Sequence, residues 1–405
     1  MAAPAQASDV FVKPPRFELR MSLLFGARSL PVGVHLPYFP LWLEHRGFDA
    51  TQIAVVLSAP MFLRVVTTPF VTAFADRVRE RAHVLIAVVT ATLLLSIGYL
   101  LEPGYLAVLA ISLVLHIFWT PHSPLADSLA LSGVRRFGAD YPAMRKWGSA
   151  SFLTANLGAG AILSATGAGA VPVIIWAGLA LTLVASLQAP RLGRPRQPSP
   201  LSAERLAEAP ASLLNRRLIL FAAGAGVINA SHGLLYAFGT IYWTAVGIGE
   251  TMIGLLWALA VVTEIVVMML FSRVFGRLST PGVLLVAGFA AVLRWALFPL
   301  VLPLGGGIPG FVLLQTLHAF STGLVLIGVP KMIAETVGEE RLGSAQGLVF
   351  LANGLSMAVV TLLSGPLYAA LGSSGFFVMA GIALAGTGLV ALTLISPTAP
   401  ARAAG

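Results

Sequence analysis

Twelve stretches of this chain are apolar over about 20 residues each, the length of helix that crosses the hydrocarbon core of a bilayer. They run 21–42, 51–74, 83–101, 105–131, 143–164, 171–187, 218–243, 251–271, 281–301, 309–329, 344–367 and 375–395. Two closely spaced pairs are parted only by the breaks around Pro103 and Gly167. Hydrophobic residues make up 57% of the chain and charged ones 10%, against roughly 25% charged in an ordinary soluble domain. No soluble core hides that much apolar surface. In lipid every backbone polar group must be satisfied internally, and segments of this length do so as helices. The expected fold class is an all-α integral membrane protein with twelve transmembrane helices.

Lysine and arginine favour the cytoplasmic ends of such helices. With both termini inside, Arg46 alone of the 25 basic residues falls on an outer segment, and Arg28, Arg64 and Arg294 fall within spans. All the others share one side, among them Arg77, Arg79 and Arg81 after the second span and Arg135 and Arg136 after the fourth. The net charge of +9 therefore reads as topology, and no nucleic-acid partner is expected. The segment before the first span lacks a signal-peptide pattern. A multi-pass protein of the bacterial inner (plasma) membrane is expected. Cysteine is absent, which excludes disulfides and cysteine-ligated metal or iron–sulfur sites; no metal or other cofactor is expected.

The polar stretch 189–217, with Pro195, Pro198, Pro200 and Pro210 among basic residues, reads as a cytoplasmic linker. It divides the chain into a six-span half at 1–188 and another at 218–405, the repeat architecture of many transporters. Sliding the chain by 200 residues sets Gly47, Thr51, Ile53, Val66 and Arg77 on Gly247, Thr251, Ile253, Val266 and Arg277. In that register Arg64 meets Glu264. Chance similarity between two apolar segments is the alternative.

Ionisable groups at helix centres cost about 2.5–3.5 kcal/mol each on insertion scales, so they need a partner, an aqueous cavity or a function. This chain places Arg28 and His35 in span 1, Arg64 in span 2, and His116, His122 and Asp127 in span 4. The later spans add His232, Glu264, Arg294 and His318. A structural reading stands beside several of them. Arg28 can snorkel to the interface, His35 and His116 read as packing residues, and Asp127, Arg145 and Lys146 lie near span ends. Glu264, Arg294 and His318 sit well inside their spans and suit proton coupling. A carboxylate in a low-dielectric cavity holds its proton tightly, an approaching arginine loosens it, and a histidine can relay it. The span boundaries put Glu264 and Arg294 toward opposite faces, so direct contact between them requires tilt.

No GxxxxGK[ST] phosphate loop occurs, which argues against transport driven by ATP on this chain. His122 and Asp127 form an H-x4-D spacing of the kind acyltransferases use, and a membrane acyltransferase is a remote alternative.

At this point the residues resemble a family. Pro121-His-Ser-Pro124-Leu-Ala-Asp127, Asp140-Tyr-Pro-Ala-Met-Arg145-Lys-Trp147-Gly148-Ser, then His232, Tyr236, Phe238, Ile241-Tyr242-Trp243, Glu264, Arg294 and His318 are similar to the major facilitator superfamily. Within it they resemble the phenylpropionic acid permease group, related to lactose permease-type proton symporters. The resemblance spans the first to the twelfth helix and implies two pseudosymmetric six-helix halves. It implies that Asp127 and Arg145 are a substrate-anchoring pair and that Glu264, Arg294 and His318 couple protons; Arg64 matches an arginine of the group, and His232 and Tyr236 are further substrate-binding candidates. Arg28 is a candidate by its charge alone, because it and His122 depart from the group's usual apolar or aromatic residues. The superfamily's loop after span 2 appears as Thr72-Ala-Phe-Ala-Asp76-Arg77-Val-Arg79-Glu80-Arg81, with Asp76 and Arg77 as gating residues. Thr72 and Arg79 replace its usual glycines. The Gly-Pro signature of antiporters is missing near Gly158 and Gly160, which favours symport.

The expected function is proton-coupled uptake of a small aromatic organic acid, 3-phenylpropionate-like, by a monomeric secondary transporter working by alternating access. The intramembrane excess of arginine suits an organic anion. Tyr38, Phe62, Trp119, Tyr236, Tyr242 and Trp257 are candidates to face its ring. A sugar or nucleoside symporter and a drug exporter are the alternatives on the same fold.

Overall fold

The computed structural model describes residues 12–193, 216–336 and 342–395. Regular structure among them is helical: α1 (Phe17–His45), α2 (Ala50–Arg77), α3 (Arg81–Leu100), α4 (Tyr105–Trp119), α5 (His122–Phe137), α6 (Tyr141–Thr166) and α7 (Val171–Leu187) come first. Then follow α8 (Arg216–Ala230), α9 (Gly233–Ala245), α10 (Glu250–Val274), α11 (Thr280–Leu297), α12 (Gly307–Thr316), α13 (Leu324–Thr336), α14 (Leu342–Leu371) and α15 (Gly375–Ala391). Each expected span is one helix or one interrupted helix. Most of the expected linker, 194–215, lies outside the described residues.

Three spans that look continuous in sequence are broken. α4 gives way to α5 at Thr120-Pro121, α8 to α9 at Ser231-His232, and a π-helical turn, Ala319–Gly323, parts α12 from α13. Only the first break has a proline to signal it. At the second, the Ser231 hydroxyl donates to the Ile228 carbonyl at 2.6 Å and accepts from the Trp295 indole at 2.9 Å, one of the ways side chains re-satisfy an interrupted helix in lipid. His122 opens α5, His232 caps α9 and His318 caps the π turn. Each break therefore carries a buried histidine.

By length and hydropathy alone nine stretches among the described residues qualify as spans, the longest holding both α14 and α15. The helices that fall short are α1 and α6. α1 carries Arg28, His35 and three internal prolines, and α6 carries Arg145, Lys146 and Asn156. They pack on each other, α1 also against α7 and α9, and α6 against α10. α1 is largely buried among other helices, and a helix shielded from lipid by protein needs less apolar surface than one facing it.

The turn into α2 recurs at the turn into α10, 200 residues later. Gly47 and Gly247 take φ of 79° and 85°, the left-handed region that glycine enters without a Cβ clash. Phe48 N–H donates to the Leu43 carbonyl at 3.2 Å and Ile248 N–H to the Trp243 carbonyl at 2.9 Å. α2 begins at Ala50 and α10 at Glu250. Asp49 adds a capping box with Gln52 to the first copy, satisfying amides that no helix bond reaches.

At this end the first six spans meet the last six. α2 packs on α14, α6 on α10 and α1 on α9. A Cβ at Gly365 would stand 2.6 Å from the Ala50 carbonyl oxygen, and one at Gly160 the same distance from that of Glu250. The starts of α2 and α10 thus each press on a glycine of the opposite six spans. Tyr38 crosses the seam, its hydroxyl 3.1 Å from the Asn156 carbonyl oxygen and 3.4 Å from that of Glu250.

Candidate functional site

A cavity of about 740 Å³ lies between the two sets of six spans. It runs from Phe39 and Pro40 near the closed seam to Thr72 and Asp127 toward the other end. There Pro69 and Phe350 are exposed. α1, α2, α4 and α5 supply most of the wall, and Tyr236, Ala237, Phe350 and Thr361 supply the remainder.

Arg28 and Arg64 both line it. Arg28 is 8% exposed, its guanidinium 5.5 Å from the centroid of the Phe25 ring. Among the described residues neither arginine forms an ion pair with an acid, and the Nε of each is buried without a hydrogen-bond partner. Among the described residues Asp127 is the one carboxylate on the wall. It accepts from the Tyr141 hydroxyl at 2.9 Å and the Ser123 hydroxyl at 3.3 Å. Asp127 and Arg145 form no ion pair with each other. Tyr141 stands between them, engaging both, while Arg145 lies over the Phe25 ring at 5.7 Å and off the cavity wall.

His35, His116 and Trp119, on α1 and α4, form an aromatic corner. The His35 ring stacks on Phe39 at 4.4 Å and meets Trp119 edge-on at 5.0 Å and His116 at 5.5 Å. Both histidines are packed, as their sequence context suggests, and both line the cavity, which it does not suggest. His122 also reaches the wall, its Nε2 3.2 Å from the Thr92 hydroxyl. Among the described residues no hydrogen bond joins His122 to Asp127, so the H-x4-D spacing does not assemble a base and its orienting carboxylate.

Behind the opposite wall lies a second charged cluster. Arg294, 0% exposed, donates through Nη1 to Nδ1 of His318 at 3.0 Å and through Nη2 to the Gln315 side-chain oxygen. Its guanidinium carbon lies 4.5 Å from the Trp295 ring centroid. Arginine cannot accept, so Nδ1 is the accepting nitrogen and the ring proton sits on Nε2. That nitrogen is 3.7 Å from the Glu264 carboxylate. Gly323 lets this carboxylate approach, since a Cβ there would lie 3.2 Å from Glu264 Cγ. The separation of Glu264 and Arg294 expected from sequence is thus bridged by His318. Gln315, which also donates to the Leu256 carbonyl at 3.0 Å, has no sequence signal that marks it.

His232 belongs to this cluster and not to the cavity wall. Its Nε2 is 2.9 Å from the Ser321 hydroxyl and its ring 5.6 Å from that of His318. Tyr236, one turn further along α9, lines the cavity with its ring 6.0 Å from His232 and stacked at 6.0 Å on Trp257. Of the other aromatic candidates, Trp119 is on the wall, Tyr38 is in the seam and Tyr242 packs against Phe298 and Phe311.

Asp76 and Arg77 close α2. Asp76 lies 3.9 Å from Arg81, which donates to Ser132 at 2.8 Å and also to Ser128, both on α5. Glu80 accepts the amides of Leu192 and Gly193 at 3.2 and 2.8 Å. The loop is therefore bound to the first six spans.

Helices arranged about a central cavity, together with the family match, make this a membrane transporter of the major facilitator superfamily and not an enzyme. The chain belongs to the MFS_1 like family, whose model matches residues 23–379. It is 26% identical over 359 residues to a probable 3-phenylpropionic acid transporter of Escherichia coli (strain K12), covering 87% of this chain and 91% of the relative. It is 28% identical over 362 residues to the maltose permease of Geobacillus stearothermophilus, covering 87% and 86%. The solved structure of the nucleoside transporter NupG shares the fold, with a TM-score of 0.78, 17% identity and coverage of 94% of this chain and 99% of the other.

Proposed function

We propose that this protein takes up a small aromatic organic acid together with a proton. The observation that carries this reading is a cavity lined by the buried Arg28, the half-buried Arg64 and, among the described residues, a single carboxylate already held by Tyr141 and Ser123. A buried guanidinium without a counter-ion is costly, and an organic carboxylate supplies the missing charge through a bidentate fork. Trp119, His35 and Tyr236 offer apolar faces for its ring. The likeness to a probable 3-phenylpropionic acid transporter supports the same substrate class.

Proton coupling is assigned to Glu264, His318 and Arg294. Glu264 carries the proton, His318 presents its Nε2 side to that carboxylate, and Arg294 holds the tautomer. Tyr236 touches the cavity on one side and His232 on the other, so substrate contact and proton binding meet there. The halves 1–188 and 218–405, joined through 189–217, rock about the cavity. The state described has its outer seam shut and its cavity directed to the cytoplasm, with both termini on that side of a bacterial inner membrane. The transporting unit is a monomer.

The test is uptake of labelled 3-phenylpropionate into proteoliposomes under an imposed inward proton gradient. Accumulation that a protonophore abolishes supports the reading; no uptake by correctly inserted protein removes it. The likeness to a maltose permease favours a neutral sugar as the second reading. Competition by sugars in place of carboxylates would select it.

A further inference from the structure

Of the two histidines in the aromatic corner, His35 is the one that makes no hydrogen bond among the described residues. Its Nε2 is buried without a partner, and among the described residues no hydrogen bond reaches the other ring nitrogen. By contrast His116 donates from Nδ1 to the Ser112 carbonyl at 2.8 Å. Three aromatic neighbours fix the His35 ring: Phe39 stacks on one face, and Trp119 and His116 meet it at steep angles of 78° and 64°. A polar group so firmly placed and left unpaired costs stability unless something completes it.

A proton-carrying role does not fit the surroundings. Among the described residues no acid lies within ion-pair distance of His35 or His116. The charge acting on this corner is that of Arg64, which lies within electrostatic range of His116, and a second cation beside it has no counter-ion. A simple packing role does not fit either. A phenylalanine fills the same space without an orphaned nitrogen, and His35 lies on the cavity wall.

We propose that His35 is a specificity-determining residue that reads a polar substituent on the substrate ring, so that the cavity selects aryl-alkanoic acids bearing a ring hydroxyl. This rests on the aromatic-acid reading and narrows it. The carboxylate is held at Arg64 and the ring lies against Trp119 and Phe39. The hydroxyl exchanges a hydrogen bond with the His35 imidazole. Sites that hydrogen-bond a substrate hydroxyl reject the analogue lacking it far more strongly than apolar pockets reject an extra group.

The experiment measures binding of unlabelled acids to the purified full-length protein by competition against labelled 3-phenylpropionate. The 2-, 3- and 4-hydroxyphenyl derivatives are compared with the unsubstituted acid. At least one hydroxylated isomer is expected to bind tenfold or more tightly than the unsubstituted acid. In His35→Phe that ratio falls to near one, and in His35→Gln, which keeps a polar group, part of it returns. Thermal melting of each variant establishes that it is folded, and His35→Gln serves alone if His35→Phe is not. Equal affinity for all four acids, or a hydroxyl preference untouched by His35→Phe, overturns the proposal while leaving the aromatic-acid reading standing. Binding of none of the four overturns both.

Discussion

Arg294 donates a 3.0 Å hydrogen bond to Nδ1 of His318, and this contact determines which face of the imidazole meets Glu264. With Nδ1 accepting, the Nε2 proton is directed at a carboxylate 3.7 Å away. That spacing is long for a hydrogen bond but within ion-pair range. A small approach of α10 to the π turn completes the bond, and a small retreat breaks it. A carboxylate with these two arrangements is what the proposed proton coupling requires.

The first prediction concerns Glu264. Replacing it with Gln keeps the shape and removes the titrating group. Counterflow exchange of labelled substrate should persist while accumulation against a gradient is lost. Concentrative uptake by Glu264→Gln would take the proton role away from this residue.

Arg64 is expected to anchor the substrate carboxylate. Hydrogen bonds to charged groups contribute roughly 1.5–3 kcal/mol, so Arg64→Gln should weaken binding by about 10- to 100-fold. Arg64→Lys should recover only part, because an ammonium lacks the planar fork. Direct binding measurements on purified protein decide this, and unaltered affinity in Arg64→Gln removes it from the site.

Gly365 and Gly160 predict a conformational effect separate from substrate chemistry. An added methyl at either would stand 2.6 Å from a backbone oxygen of the other six spans. Overpacking of this kind costs about 1–3 kcal/mol, and here it falls on the closed state alone. Gly365→Ala should therefore shift the protein toward opening at the seam, by roughly tenfold in the equilibrium. The native chain has no cysteine, so one cysteine introduced beside the seam reports its accessibility cleanly. No change in labelling rate would count against the seam as the gate.

Asp49 provides a stability check outside the cavity. Its side chain accepts the Gln52 amide at 2.8 Å, and the Gln52 side chain returns the bond at 3.1 Å. Asp49→Ala should cost about 1 kcal/mol and lower the melting temperature with little effect on substrate affinity. A variant that melts like the parent would show that the cap adds nothing to the folded state.

Much of the architecture is legible in the sequence. Span length and hydropathy identify the helices, because a bilayer imposes one length on every segment that crosses it. The glycine-centred turns at Gly47 and Gly247 betray the repeat, because a left-handed backbone leaves few residue choices. Buried charge drew notice to Arg28, Arg64, Asp127, Glu264, Arg294 and His318, since ionisable groups in lipid are expensive wherever they occur. α1 and α6 are the weakest spans by hydropathy, because they carry charged and polar residues within them.

Which charges act together was decided by tertiary structure. Glu264 and Arg294 fall toward opposite membrane faces in the sequence reading, and His318, at the head of the π turn, is what stands between them. Asp127 and Arg145 have the spacing of a pair, yet Tyr141 occupies the place where they would meet. His35 reads as packing until Phe39, Trp119 and His116 are seen to fix its ring on a cavity wall. Periodicity along one helix reports how apolar its surroundings are on average. Hydrogen-bond partners come from other helices, and their positions depend on how the spans break and cross. The sequence by itself determined the membrane, the helices and the residues too polar to be idle; only the packing decided which of them touch.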